Sequence, residues 1–264
     1  MLYQLPRSLE AATVLCRPSA SNKSPYLVDV QLDTDTSIHI THNPALGCHG
    51  LIVPGAKVWV MSAAEDSKGI SSKILYLVQD GEAIVCVNPA VANHLAAAIL
   101  AGGYLGGEDI SDICAEVSPP EHPGTRFDFS AVDQKTGGRI WVEVKNASLA
   151  DTYDGLESGR SKAPPGPKVA IFPYGNKRKI DLVSPRALKH CQLLTELSSH
   201  STKCILMYLS QRTDVAAFKI SSLDAVYNRA VQTARATGVS VLAFSIRWTT
   251  EGKAYLHKPL TVLY

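Results

Sequence analysis

The stretch RFDFSAVDQKTGGRIWVEVK, residues 126–145, decides how this chain is interpreted. It contains two runs of alternating side chains on either side of the turn sequence at residues 133–138, which is the pattern of a β-hairpin. In the first run Phe127 and Phe129 are predicted to lie on one face and Asp128 on the other. Each strand of the hairpin therefore has an apolar side and a chemically active side.

In the second run Glu143 and Lys145 share the face opposite to the aliphatic side chains. A symmetric turn pairs Asp128 with Glu143, at roughly 5 Å between their Cβ atoms. Two carboxylates at that distance repel each other, and a divalent cation of the Mg²⁺ or Mn²⁺ class resolves the repulsion. The candidate metal ligands are Asp128, Glu143 and Val144, which stands between Glu143 and Lys145.

Lys145 points its ammonium at the same spot, where it can stabilise charge that develops on a phosphate. Asp128, Glu143 and Lys145 together are the candidate catalytic residues of a phosphodiester-hydrolysing site. The alternative is that the Glu-x-Lys sequence is simply one solvated face of a strand.

The residues before the hairpin divide into two kinds of sequence. Short apolar runs separated by turn residues predict the strands of a small all-β barrel, and an Ala- and Leu-rich helix follows at residues 89–101. The predicted domains are residues 1–88, a barrel that binds nucleic acid, and residues 89–264, an α/β domain. The strand runs are residues 26–32, 37–41, 57–61, 74–79 and 83–88.

The residues around and after the hairpin alternate between helix and strand signals. Ser184 and Pro185 have the chemistry of an N-cap and a first helical residue, and apolar side chains follow at helical period. Together these elements predict an α/β domain with a mixed sheet. The other elements predicted are strands at residues 113–117, 204–209 and 240–246 and a helix at residues 223–236.

Bulk composition narrows the class of protein. The chain has 264 residues, of which 45% are hydrophobic and 19% charged, as in a folded soluble protein, and no apolar run has the length of a membrane helix. Six cysteines are scattered singly, which indicates reduced thiols in the cytoplasm, with an organellar matrix as the alternative. The net charge of +2 is too small to indicate a polyanion partner, so a nucleic-acid-binding surface has to come from local clusters of Lys and Arg.

Basic clusters of that kind flank the hairpin. On the predicted helix Arg186, Lys189 and His190 stand at i, i+3 and i+4, which predicts one face that contacts phosphates rather than solvent alone. Glu116 and Asp181 are possible additional site carboxylates. The predicted nucleic-acid contacts are Arg126, Arg186, Lys189, His190, the loop residues Lys177, Arg178 and Lys179, and Asn43 in the barrel. For the three loop residues, the alternative is a solvated loop without nucleic-acid contact.

Several segments resemble the sugar fermentation stimulation protein A (SfsA) family over nearly the whole chain. They are TRFDF at residues 125–129, EVKNASL at 143–149, IVCVN at 84–88, SPRALKH at 184–190 and GVSVLA at 238–243. The resemblance implies an N-terminal OB-like barrel and a C-terminal nuclease-like domain of the PD-(D/E)xK type. It also implies that the protein binds DNA.

The chain departs from the family pattern in two places. Ala98 stands where the family has a Glu, and residues 174–180 interrupt a segment that is compact in the family. Two functions therefore remain: a metal-dependent nuclease acting on DNA or RNA, and a nucleic-acid-binding regulator that has lost turnover. The retained Asp128, Glu143 and Lys145 favour the enzyme, and Ala98 favours the regulator.

Overall fold

The computed structural model describes residues 1–45, 50–64, 69–105, 109–152, 167–173, 184–199 and 201–264. The chain divides into two compact units. The barrel unit comprises Met1–Val91, Gln211–Asp214 and Ile246–His257. The α/β unit comprises Ala92–Ser210, Val215–Ser245 and Lys258–Tyr264. The sequence-based division at residues 88 and 89 lies next to the first of these boundaries, but it does not include the two later segments of the barrel unit.

The barrel unit is built on six consecutive strands that follow a short β1 (Tyr3–Gln4). Strand β2 pairs with β3 and β5, β3 pairs with β4, β5 pairs with β6, and a parallel pairing of β4 with β6 closes a ring of five. Strand β7 extends the sheet beside β6. The predicted OB-like barrel is therefore confirmed. The strands are β2 (Glu10–Cys16), β3 (Leu27–Leu32), β4 (Ile38–His42), β5 (Lys57–Ser62), β6 (Lys73–Asp80) and β7 (Ala83–Cys86).

The α/β unit begins with α1 (Ala92–Ala101), which directly follows a 3₁₀ turn at Pro89–Val91 in the barrel unit. Its remaining elements are β8 (Ile110–Val117), β9 (Phe127–Asp133), β10 (Arg139–Asn146), β11 (Ala150–Asp151), β12 (Lys168–Phe172), α2 (Pro185–Leu197), β13 (Thr202–Ser210), β14 (Val215–Ile220), α3 (Ala225–Ala236), β15 (Ser240–Trp248), β16 (Lys253–Pro259) and β17 (Val262–Leu263). Strands β15 and β16 also extend into the barrel unit.

The main sheet of the α/β unit is mixed, as the sequence predicts. Its strand order is β15-β13-β10-β9-β8, with parallel pairs β13–β15 and β10–β13 and antiparallel pairs β9–β10 and β8–β9. A second sheet has the order β11-β12-β14-β17. Helix α2 packs on α3 and β13, and its buried residues Ala187, Cys191 and Leu194 follow helical period. Within the described ranges, no helix is long and apolar enough to cross a membrane.

The start of α2 is held by a contact that the sequence does not reveal. Ser184 is the N-cap residue, as predicted, but its side chain makes no capping hydrogen bond. Its backbone N–H instead donates to Oδ2 of Asp224 at 3.1 Å, and Oδ1 of Asp224 accepts the N–H of Tyr227 at 2.9 Å in the first turn of α3. One carboxylate therefore binds the beginnings of both helices.

Candidate active site

The β9–β10 hairpin has the register that the sequence predicts. Val132 pairs with Arg139 and Phe129 pairs with Val142, so the same count places Asp128 opposite Glu143. Backbone pairing between β9 and β10 ends at Phe129, and beyond it the side chain of Asp128 makes the contact between the two strands. Its Oδ2 accepts the backbone N–H of Val144 at 2.7 Å. The carboxylate of one strand is thereby fixed to the backbone of the other.

The predicted orientation of Phe127 is wrong. Its ring lies 5.8 Å from the ring of Trp141 and 5.9 Å from the ring of His190, centroid to centroid. Trp141 shares a strand face with Glu143, so Phe127 packs on the chemically active side of the sheet. Phe127 is the first residue of its strand and lies beyond the β9–β10 ladder, although it still pairs with Val117 of β8.

Asp128 is held in place by two donors. Besides Val144, the side-chain amide of Asn93 in α1 donates to its Oδ1 at 3.0 Å. Burial and the neighbouring charge of Glu143 raise the pKa of Asp128, and these effects outweigh the two hydrogen bonds. Without a compensating cation, the fold therefore disfavours the negative charge on this carboxyl. Asn93 is a site residue that the sequence did not assign a role.

Glu143 has two oxygens in opposite situations. The side chain is buried, and Lys145 Nζ and His190 Nδ1 both contact Oε1, the latter at 2.6 Å. Oε2 is buried and has no hydrogen-bond partner. Burial alone would raise the pKa of Glu143, but the His190 and Lys145 contacts outweigh it and hold the pKa below its usual range. Glu143 is therefore charged, with one oxygen open.

His190 is not the surface contact that helical spacing predicts. Arg186 and Lys189 are exposed, but His190 is only 5% exposed and faces Glu143. Nδ1 lies 2.6 Å from Oε1, although the ring is not turned for a linear hydrogen bond. The contact is an ion pair when His190 is protonated. This correction moves His190 into the carboxylate site.

Val144, a predicted metal ligand, could bind a cation only through its backbone. Its side chain is apolar and 7% exposed, and its N–H is already given to Asp128. Among the described residues, no group of three or more His, Cys, Asp or Glu side chains is arranged to hold a metal ion. A cation here would therefore be bound by the two carboxylates and complete its coordination with other oxygens. The open Oε2 of Glu143 fits such an ion.

A basic pocket of about 590 Å³ lies beside His190. Arg126, Arg186 and Lys189 line it, together with the acidic Glu116. The Oε2 of Glu116 is 4.0 Å from Nη1 of Arg126, and both side chains are more than half exposed. Glu116 thus lies with the basic side chains of this pocket. The pocket is further lined by Gly124 and Thr125 and by Pro185, the first residue of α2.

Two sets of predicted site residues do not join this arrangement. Asn43 is fully buried, and its side-chain amide bonds the backbone of Ala45 through both of its ends, so its role is structural. The others lie outside the described residues: Lys177, Arg178, Lys179 and Asp181.

Comparison with known proteins finds similarity along nearly the whole chain. The family model described as "Sugar fermentation stimulation protein RE domain" matches residues 90–252. A sugar fermentation stimulation protein homolog of Citrifermentans bemidjiense is 29% identical over 98% of this chain and 99% of its own length. A homolog of Paramagnetospirillum magneticum is 28% identical over 90% of each chain.

A solved structure has the same fold. The structure of Pyrococcus furiosus SfsA in complex with Ca²⁺ superposes with a TM-score of 0.75 at 18% identity, covering 100% of this chain and 99% of that one. The family model alone spans more than half of the chain. The chain therefore belongs to the SfsA family, whose domain of that description contains the hairpin and both carboxylates.

Proposed function

We propose that the α/β unit hydrolyses phosphodiester bonds of DNA or RNA with a divalent cation, Mg²⁺ or Mn²⁺, held by Asp128 and Glu143. The observation that carries the proposal is Oε2 of Glu143, which is buried and has no hydrogen-bond partner. An open carboxylate oxygen in a buried position costs free energy unless something binds it. Burial and the charge of Glu143 raise the pKa of Asp128, so a cation beside it would favour its charged form.

Each residue has a distinct task in this proposal. Asp128 and Glu143 supply hard oxygen ligands, while Asn93 and the backbone of Val144 keep Asp128 in position. Lys145 has no lone pair when protonated, so it serves the phosphate and not the cation. A bound divalent ion would polarise the phosphate and lower the pKa of an attacking water.

The basic pocket supplies the binding surface for the substrate. Arg126, Arg186 and Lys189 bring three positive charges next to His190, which also contacts Glu143. Phosphate groups of a nucleic-acid backbone are the polyanion that such a cluster favours. In the barrel, the half-buried Trp59 lies between the buried Val58 and Val60 and offers a ring edge for base stacking.

The similar protein from Pyrococcus furiosus is described as a complex with Ca²⁺. Ca²⁺ and Mg²⁺ both prefer oxygen ligands, and carboxylates bind both ions. That description supports a divalent-ion site in this chain, and the ligands we assign to it are Asp128 and Glu143.

The second candidate is a nucleic-acid-binding regulator without turnover. Two observations favour it: half-buried Ala98 in α1 provides no carboxylate, and the described residues contain no group of three metal ligands. Such a protein would keep the basic pocket and the hairpin and would bind without cleaving. The two candidates differ only in chemistry, so one assay separates them.

The assay incubates the purified chain with labelled single- and double-stranded DNA and RNA in Mg²⁺, Mn²⁺ or a chelator. The nuclease predicts cleavage that the chelator and Glu143→Gln abolish, while Glu121→Gln, which changes an exposed carboxylate, keeps it. Binding without cleavage under every metal condition would establish the regulator instead. Ala98→Glu then becomes the informative variant.

A further inference from the structure

The two contacts on Oε1 of Glu143 come from side chains of different stiffness. Lys145 reaches it on a long flexible stem, while His190 reaches it from a short side chain on α2. Both side chains are largely buried, with 13% and 7% exposure. A single carboxylate oxygen does not need both partners to stay charged.

His190 is fixed on several sides. Its ring meets the ring of Phe127 edge-on at 77°, and its neighbours on α2, Ala187, Cys191 and Leu194, are buried in the same apolar cluster as Phe127. A ring packed in this way keeps its orientation, whereas a lysine ammonium can exchange partners at little cost. The two partners of Oε1 therefore have different freedom to move.

We propose that His190 is a positioning residue for Glu143. It anchors Oε1 to α2, so that Lys145 can leave this oxygen for the phosphate while Oε2 stays directed at a divalent cation. Without His190, departure of Lys145 would leave the carboxylate free to rotate. The inference rests on the proposed function for the role of Lys145 and of the cation, but the contact itself exists without either.

The first test needs no metal ion. The ring ¹⁵N resonances of His190 are assigned in the metal-free protein by comparison with His190→Asn. Glu143→Gln should shift the Nδ1 resonance of His190, because it replaces a charged partner by a neutral one. Glu196→Gln, an exposed change on the same helix, should leave it in place. An unshifted Nδ1 resonance in Glu143→Gln would overturn the inference.

The second test measures Mn²⁺ binding by calorimetry. Partners that orient a metal ligand typically contribute about 10- to 100-fold to metal affinity, so His190→Ala should weaken binding by about that factor. His190→Asn places an amide N–H near the position of Nδ1 and should recover much of the loss, whereas His190→Gln should recover less. Gln192→Ala, which is exposed on α2, is the matched control and should bind as wild type.

The outcomes separate the two proposals. Wild-type Mn²⁺ affinity in His190→Ala would end this inference and leave the proposed function intact. Absence of any Mn²⁺ binding that depends on Asp128 and Glu143 would end the proposed function, and the inference with it. If His190→Ala does not fold, the ¹⁵N experiment still decides, because it leaves His190 in place.

Discussion

A buried charge cluster in the barrel unit, around Arg212, and one in the α/β unit, around Glu143, differ in completeness. In the barrel unit the side chain of Arg212 is 0% exposed, and its Nε and Nη2 each bond one oxygen of Asp214 at 2.6 Å, while Nη2 also contacts Asp80. Burial would lower the pKa of Arg212, but these two carboxylates outweigh it and raise the pKa. In the α/β unit, Glu143 has one oxygen with two partners and one with none.

The difference separates a structural cluster from a functional one. A buried ion whose donors are bonded to nearby acceptors helps to specify the folded structure and leaves no group open for a ligand. The open oxygen of a buried carboxylate costs free energy that a bound ligand would recover, even where contacts to the other oxygen favour the charge. The incomplete cluster is therefore where we expect chemistry, and the complete one is where we expect effects on stability alone.

The largest effect is expected from Lys145→Met, which keeps most of the stem and removes the charge. Turnover should fall by about 10²- to 10³-fold, as when one preorganised charge at a developing anion is lost. Nucleic-acid affinity should change by about 1 kcal/mol or less. Single-turnover cleavage and equilibrium binding on the same substrate measure the two quantities. Undiminished cleavage would place the chemistry outside this cluster.

Arg212→Met should lower the free energy of unfolding by about 3 kcal/mol, the lower part of the range for breaking a buried pair. The lower part applies because Asp80 and Asp214 keep partial access to water. Urea unfolding measures the change, and Arg229→Met, an exposed substitution, is the control. Replacing Arg212, Asp80 and Asp214 together by apolar residues should recover much of the loss. Cleavage should survive in the folded fraction.

Neutralising the two site carboxylates should have opposite effects on the metal-free protein at neutral pH. The pKa of Asp128 is raised by folding, so its charge costs stability as pH rises above the unfolded value, and Asp128→Asn removes that cost. The pKa of Glu143 is lowered, so its charge contributes stability that is lost as pH falls through the folded pKa. Glu143→Gln should therefore destabilise.

Each of these two changes should be about 1 kcal/mol or less. Thermal melts in chelator across pH 4 to 8 measure them, and the wild-type and Asp128→Asn curves should converge at low pH. Equal signs for the two variants would contradict the contrast between the carboxylates. Both variants should nevertheless lose Mn²⁺ affinity, because each replaces a charged ligand by a neutral one.

The smallest effect is expected at the exposed basic pocket. Arg186→Gln with Lys189→Gln should reduce the slope of log affinity against log salt by about 0.7 to 0.9 for each charge that contacts a phosphate. Binding measured at several salt concentrations gives the slope, and Lys253→Gln, an exposed lysine in the barrel unit, is a matched control. An unchanged slope would show that the nucleic acid lies elsewhere.

The hairpin was predictable because two alternating runs around a Gly-containing turn specify both pairing and register. The burial of His190 was not, although its sequence position allowed it. It stands three residues after Ala187 and four before Leu194, so its position fits the apolar face of α2 as well as the basic face. Only the position of Glu143 on the neighbouring strand decides between the two faces.

Other features needed tertiary structure for the same reason. Strands β2, β12 and β14 were not predicted, since short runs such as EAATVLC fit a helix or a strand equally until a partner strand is known. Asn43 was predicted to be a surface contact because its residue type is polar, but the chain folds over it and uses its amide for Ala45. Composition indicates polarity and does not indicate the partner.

The double role of Asp224 has a consequence for how this family can vary. Because Oδ2 of Asp224 accepts the N–H of Ser184, the residue before α2 is tied to the first turn of α3. A change in the length of the segment that leads into α2 is therefore expected to leave Arg186 and His190 in place. Loop length and site geometry can then vary independently of each other.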